Sequence, residues 1–211
     1  MSKDCISAQR NITKIFHIAD IHIPKYTKRH NEFKKVFHNF YKQLDTLKKG
    51  ENCILIICGD LLHNKDSISN EQVMLTRQFL EQCGKRMPVY LIAGNHDLNM
   101  INSTRLDSIT PIVDGLENIT YFNKSGYYIV ENLAIVVNSL SYNTYDTDDD
   151  AIYMNDKIPF IEYKDVKDTL EGKTCICLFH GTLNGSTDDK NFCFSSEIKL
   201  EMCRGYDFVL L

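Results

Sequence analysis

Hydrophobic and polar positions alternate in blocks along the first half of the chain. Residues 14–19 (KIFHIA) are a short strand-like run, residues 52–58 are almost wholly apolar, and residues 89–92 (VYLI) form a third such run. Short runs of this kind, bounded by glycine, proline or polar positions, are the pattern of strands buried on both faces of a parallel sheet. Between the first two, Phe33, Val36, Phe37, Phe40, Tyr41, Leu44 and Leu47 recur at spacings of three and four. That period predicts an amphipathic helix over 31–49 with those side chains in the core, stopped by Gly50. Ser69 and Gln72 have the spacing of a capping box, predicting a second helix that runs to about residue 83 and stops at Gly84. Strand, helix, strand, helix, strand is the order of a right-handed parallel α/β sheet, with the loops after its strands at one edge.

The second half reads differently. A short helix is expected over 103–113, broken near Pro111, followed by strands at 119–122, 127–130 and 133–138. The last two are joined by Glu131-Asn132 as a tight hairpin, which suggests a second, more antiparallel sheet. Residues 162–170 suit one helix, 174–179 (TCICLF) another buried strand, and 206–211 (YDFVLL) a last one. Asp146, Asp148, Asp149 and Asp150 crowd residues 145–150. The glycine and terminal glutamate of a calcium loop are missing there, so the stretch reads as a solvated loop.

Composition narrows the class. The chain has 211 residues, 43% hydrophobic and 25% charged, enough to bury a core without disulfide or metal staples. Its eight cysteines include no C-x-x-C pair, and Cys53, Cys58, Cys175 and Cys177 lie inside apolar runs, so buried reduced thiols are expected. No apolar run approaches the ~20 residues of a membrane helix and no signal-peptide core is present, which points to an intracellular protein, nuclear or cytoplasmic and not secreted. The net charge of -4 does not announce nucleic acid, because that field repels phosphate. A polyanionic substrate must then be drawn by bound metal ions or a local basic patch.

The chemistry sits where strands end. The first predicted strand runs into Asp20-Ile21-His22, the second into Gly59-Asp60-Leu61-Leu62-His63, the third into Gly94-Asn95-His96-Asp97, and 174–179 into His180-Gly181. A lone histidine or aspartate after a strand is usually structural. Recurrence of the design at four strand ends favours a shared site, because loops after parallel strands open at one edge. Asp20, His22, Asp60, Asn95 and His180 offer only oxygen and nitrogen donors. Such a set suits manganese, iron or zinc, with mixed carboxylate, imidazole and amide ligation leaning toward manganese or iron. Asp60, from the central strand, is the natural bridge between two ions, with Asp20 and His22 on one and Asn95 and His180 on the other. His96, flanked by Asp97 as orienting partner, is then free to protonate a leaving alkoxide. Lys25, Lys28 and Arg29 head a cluster that also includes His30, Lys34 and Lys35. A solvated helix face is the commoner explanation for such a cluster; binding of substrate phosphates is the other.

The ordered set D-x-H, G-D, G-N-H-D and H-G resembles the calcineurin-like metallophosphoesterase superfamily. Within it, Gly59-Asp60-Leu61-Leu62-His63, Arg105-Leu106-Asp107-Ser108 and His180-Gly181-Thr182 look most like the nuclease subunit of double-strand-break-repair complexes of the SbcD and MRN type. The resemblance implies a four-layer α/β/β/α sandwich, two manganese ions and cleavage of DNA phosphodiesters. It makes His96 the catalytic acid, places His63 close to the metals, and implies a homodimer paired with an SMC-like coiled-coil ATPase. A phosphatase or phosphodiesterase acting on a small molecule, nucleotide or phosphoprotein accounts better for the acidic charge, and a binding or dimerisation module without catalysis is the third reading. The family's last motif, G-x-x-H or G-H-x-H, would follow residues 206–211 and add a histidine to each metal. Residues 1–211 are thus expected to be a nuclease domain lacking that motif, the capping domain and the ATPase-binding segment, as in a fragment of a longer protein, and to be weak as a nuclease alone.

Overall fold

A computed structural model describes residues 11–64, 67–98, 106–138 and 160–211. The aspartate-rich stretch 145–150, Arg105 and the expected helix start at 103 lie outside these residues. Two four-stranded sheets form the centre. The first contains β1 (Lys14–Ile18), β2 (Cys53–Cys58), β3 (Val89–Ile92) and β4 (Ile119–Tyr121) in that order, every neighbouring pair parallel. The second contains β5 (Gly126–Val130), β6 (Leu133–Asn138), β7 (Thr174–Phe179) and β8 (Phe208–Leu210). There only the β5–β6 hairpin is antiparallel.

Alternation along β2 shows how the layers form. Cys53, Leu55 and Ile57 face the helices α1 (His30–Leu47) and α2 (Asn70–Gly84), joining Phe37, Leu44, Leu75, Phe79 and Leu80. Ile54, Ile56 and Cys58 face the second sheet and meet Leu133, Ile135, Val137, Ile176 and Leu178. All six β2 residues are buried, so neither face admits a polar side chain; burying each Ile or Leu contributes roughly 1.5–3 kcal/mol. The outer face of the second sheet is closed by Val166, at the end of the short helical turn 163–166, by Leu170 just beyond it, and by Cys203. With α3 (Thr110–Val113) beside α2 and α4 (Tyr163–Val166) on the far side, the order is the α/β/β/α sandwich expected of the metallophosphoesterase fold. No described helix is long and apolar enough to cross a membrane.

Several expectations change. The strand at 119–122 joins the first sheet beside β3, not the second, and the second sheet is more parallel than antiparallel. Pro111 lies in the first turn of α3 instead of breaking a longer helix, and Asp107 shapes the turn leading into it by accepting the N–H groups of Ile109 and Thr110. The expected helix over 162–170 is one α-turn followed by a 3-10 turn, Lys167–Thr169. On α1, Phe37 and Leu44 are buried, but Val36 and Leu47 are exposed, because the sheet covers a narrower stripe than the sequence offers.

Candidate metal centre

β1, β2 and β3 run parallel and adjacent, so the loops after them open together. β7 delivers His180 to the same place from the second sheet, its ring Nδ1 lying 2.9 Å from the Cys58 carbonyl at the end of β2. Beyond the sheet, the loops after β1 and β2 stay paired. His22 N–H donates to the Asp60 carbonyl at 2.9 Å, Ile23 N–H to Leu61 at 2.9 Å, and His63 N–H back to Ile23 at 3.0 Å. This pairing places Asp20, His22 and Asp60 in the left-handed region, with φ of 53°, 51° and 50°. Each costs a non-glycine residue on the order of 1 kcal/mol or more. The strain thus falls on three of the expected ligands and is held by the backbone bonds around them.

Two glycines make the approach possible. A Cβ on Gly94 would lie 2.2 Å from Asp60 Oδ1 and 2.3 Å from its backbone nitrogen. One on Gly59, where φ is +79°, would lie 2.4 Å from His180 Nδ1. The backbone of β2 and β3 is thereby packed directly against ligand side chains.

Asp60 occupies the centre, its side chain 5% exposed, and its two oxygens face different ways. Oδ1 accepts the His96 backbone N–H at 2.8 Å and lies 3.4 Å from His180 Nε2. Oδ2 lies 3.5 Å from His22 Nε2, which is itself 3.6 Å from Asp20 Oδ1. Asn95 Oδ1 lies 3.3 Å from His180 Nε2. With the His180 Nδ1–H donating to Cys58, its Nε2 presents a lone pair to two oxygen acceptors, Asn95 and Asp60. Three acceptors converging in this way need a cation among them, a proton or a metal ion. Ligand atoms about 2.1 Å from one ion and ~100–120° apart sit roughly 3.2–3.6 Å from each other, which is the spacing seen on both sides of Asp60. The donor set and its spacing fit divalent ions.

Ligand atoms fall into two groups lying within 4.8 Å of one another: Asp20 with Asp60 and His180, and His22 with His63 and His96. In the second group His22 lies edge to face with both other imidazoles, 5.4 Å from His63 and 4.8 Å from His96 between ring centres, and those two stack at 5.9 Å. Protonation follows this crowding. Burial pushes the Asp60 carboxyl up, but the His180 hydrogen bond, the His96 N–H and the two imidazole charges outweigh it and hold it below the usual carboxylate range. Burial works against a charged His180, yet bonds to Asp60 and the Cys58 carbonyl raise its pKa.

Asp97 does not turn toward His96. Its carboxylate is 1% exposed and accepts three backbone N–H groups, from Leu61 at 3.1 Å, Leu62 at 2.9 Å and Gly94 at 2.9 Å. Burial pushes the carboxyl up to about 6 against the pull of those donors. It therefore ties the second loop to the third, and the partner of the His96 ring is the His63 carbonyl, 2.6 Å from Nδ1. Lys25 bonds Ser67 Oγ at 2.7 Å and Arg29 pairs with Glu32 at 3.1 Å, while Lys28 is exposed on the 3-10 turn Thr27–Arg29. The Cys58 carbonyl, which sets the His180 ring, carried no sequence signal, since every strand residue has a carbonyl.

A parallel-strand sandwich with clustered carboxylate and imidazole donors at the strand ends defines a metallophosphoesterase. Residues 13–211 match the family described as calcineurin-like phosphoesterase, and the chain belongs to that family. It is also 32% identical over 208 residues to the uncharacterized protein R555 of Acanthamoeba polyphaga mimivirus, a match covering 97% of this chain and 15% of that relative.

Proposed function

We propose that this domain hydrolyses phosphodiesters through two divalent metal ions, and that its substrate is DNA. The observation that supports a dinuclear reading is the division of Asp60, one oxygen toward His180, which also meets Asn95, and the other toward His22, which also meets Asp20. Asp20, His22 and Asp60 would hold one ion, and Asp60, Asn95 and His180 the other. Bound divalent ions, of which manganese suits this donor set, supply Lewis acidity toward phosphoryl oxygens and activate water. The chain's own residues set the rest. His180 is fixed by Cys58 in the tautomer that offers Nε2 inward. His96, its Nδ1–H held by the His63 carbonyl, carries the exchangeable proton on Nε2 and hands it to the departing alkoxide. Asp97 keeps the His96 loop in place through the backbone.

The choice of DNA rests on the likeness of the 59–63 and 180–182 motifs to the repair nucleases, as do a homodimer and an SMC-like ATPase partner for the whole protein. One observation favours a small phosphoester instead: two of the three expected phosphate contacts, Lys25 and Arg29, are already engaged by Ser67 and Glu32. The test is hydrolysis by the manganese-loaded chain and its Asp60→Ala variant, on end-labelled duplex DNA and on a nitrophenyl phosphodiester. Cleavage of both by wild type alone supports the proposal. Cleavage of the small diester only supports the second reading, and no turnover with intact folding overturns both.

A further inference from the structure

Gln72 is a fully buried polar side chain, 0% exposed, in the first turn of α2. Its spacing from Ser69 suggests a capping box, and half of one is present: Ser69 Oγ accepts the Gln72 N–H at 3.2 Å. The reciprocal bond is not made, because the Gln72 side chain turns the other way and donates Nε2–H to the Ile23 carbonyl at 2.6 Å. That carbonyl is the one that also receives the His63 N–H at 3.0 Å. The His63 carbonyl in turn receives the His96 ring Nδ1–H at 2.6 Å. Ser69 adds a second tie, its hydroxyl donating to the Lys25 carbonyl at 2.9 Å.

We infer that Gln72 is a positioning residue for the proton-donating histidine, acting through the Ile23 carbonyl and the His63 peptide on the ring of His96. The physical argument is one of constraint. His63 is the exposed residue at the end of a buried turn that begins with left-handed Asp60, and nothing covalent fixes the direction of its carbonyl. Two donors on the Ile23 oxygen anchor the paired loops to a long helix, so the peptide that orients His96 is referenced to α2 and not to the loop alone. A buried amide also has no solvent to replace its partner, so removing the donor frees the Ile23 carbonyl to move. The side chain orientation is fixed chemically, because a flipped amide would set Oε1 against the Ile23 oxygen, two acceptors face to face. Gln72 itself touches no reacting group.

This inference rests on the proposed role of His96, and its test separates the two. The first measurement uses the metal-free chain and needs no activity. In Gln72→Met, which keeps the length and loses the donor, amide exchange at His63 is expected to accelerate at least tenfold. The hydrogen-bonded ring proton of His96 shifts or broadens by NMR, while the His180 ring proton, held by Cys58, stays in place. If Gln72→Met does not fold, Gln72→Leu serves. Unchanged His63 exchange, or equal loss at His180, overturns the inference, the latter by showing general loosening. The second measurement compares leaving groups on the manganese-loaded chain. A misaligned acid slows an alkyl diester roughly tenfold in kcat with KM unchanged, yet barely slows a nitrophenyl diester, whose leaving group needs no proton. Equal slowing of both overturns the positioning role. If wild type cleaves neither diester, the proposed function falls, and the exchange data alone decide whether Gln72 holds the His63–His96 pair.

Discussion

Replacing Gly94 with alanine tests whether the third loop is packed against Asp60 as tightly as the geometry states. The added methyl would sit 2.2 Å from Asp60 Oδ1 and 2.3 Å from the Asp60 nitrogen, where carbon needs about 3.5 Å. The loops after β2 and β3 must then separate by about 1.3 Å. Neither neighbour gives way easily: the nitrogen is backbone, and Oδ1 is held by the His96 N–H. Overpacking of this kind costs about 1–3 kcal/mol, and separation also stretches the bonds from Asp97 to Leu61 and Leu62. For a chain of this size the melting temperature should fall by about 2–12 °C. A ligand displaced by about 1 Å should weaken ion binding at least tenfold. Differential scanning calorimetry of the metal-free chain gives the first number and titration with manganese the second. Gly181→Ala is the control, since the nearest atom to a Cβ there is 3.9 Å away. A Gly94→Ala protein with wild-type melting and wild-type manganese affinity would refute the packing argument.

Two further outcomes follow from the hydrogen bonds. Asp97→Ala removes the acceptor for three buried N–H groups; at about 1–3 kcal/mol for each donor left unpaired, chemical denaturation should show a loss of about 3 kcal/mol or more, and a loss below 1 kcal/mol would contradict the loop-tying role. Manganese uptake should release protons and weaken in acid, because Asp60 raises the His180 pKa above its ordinary 6.5 and an ion at Nε2 must displace that proton. In the metal-free fold His180 gives the opposite trend, its stabilisation complete below 6.5 and fading as pH rises through the raised value, whereas that from the lowered Asp60 is complete above 3.8 and fades as pH falls. Calorimetry in buffers of different ionisation heat measures the released protons, and an affinity independent of pH between 5 and 8, as measured on the order of those bounds, would remove His180 from the ligand set.

The sequence by itself determined the strands and the chemistry placed after them. Residues 53–58 and 174–179 are apolar at every position or nearly so, and only a strand covered on both faces tolerates that, so both were legible without coordinates. The ligand-type residues were legible for a related reason: polar groups directly after buried runs, with a glycine before Asp60 and Asn95, have few structural uses. Pairing partners were not encoded so locally. Residues 119–121 have the composition of a strand for either sheet, and only their pairing with β3, beneath α2 and α3, assigns them to the first. The roles of neighbours in one loop were equally hidden. His96 and Asp97 are adjacent in sequence, but the turn after Gly94 sends the imidazole toward the His63 carbonyl and buries the carboxylate under Leu61 and Leu62. Tertiary structure decided these directions because hydrogen-bond partners come from other strands, and their approach is fixed by how two sheets and two glycines bring the loops together.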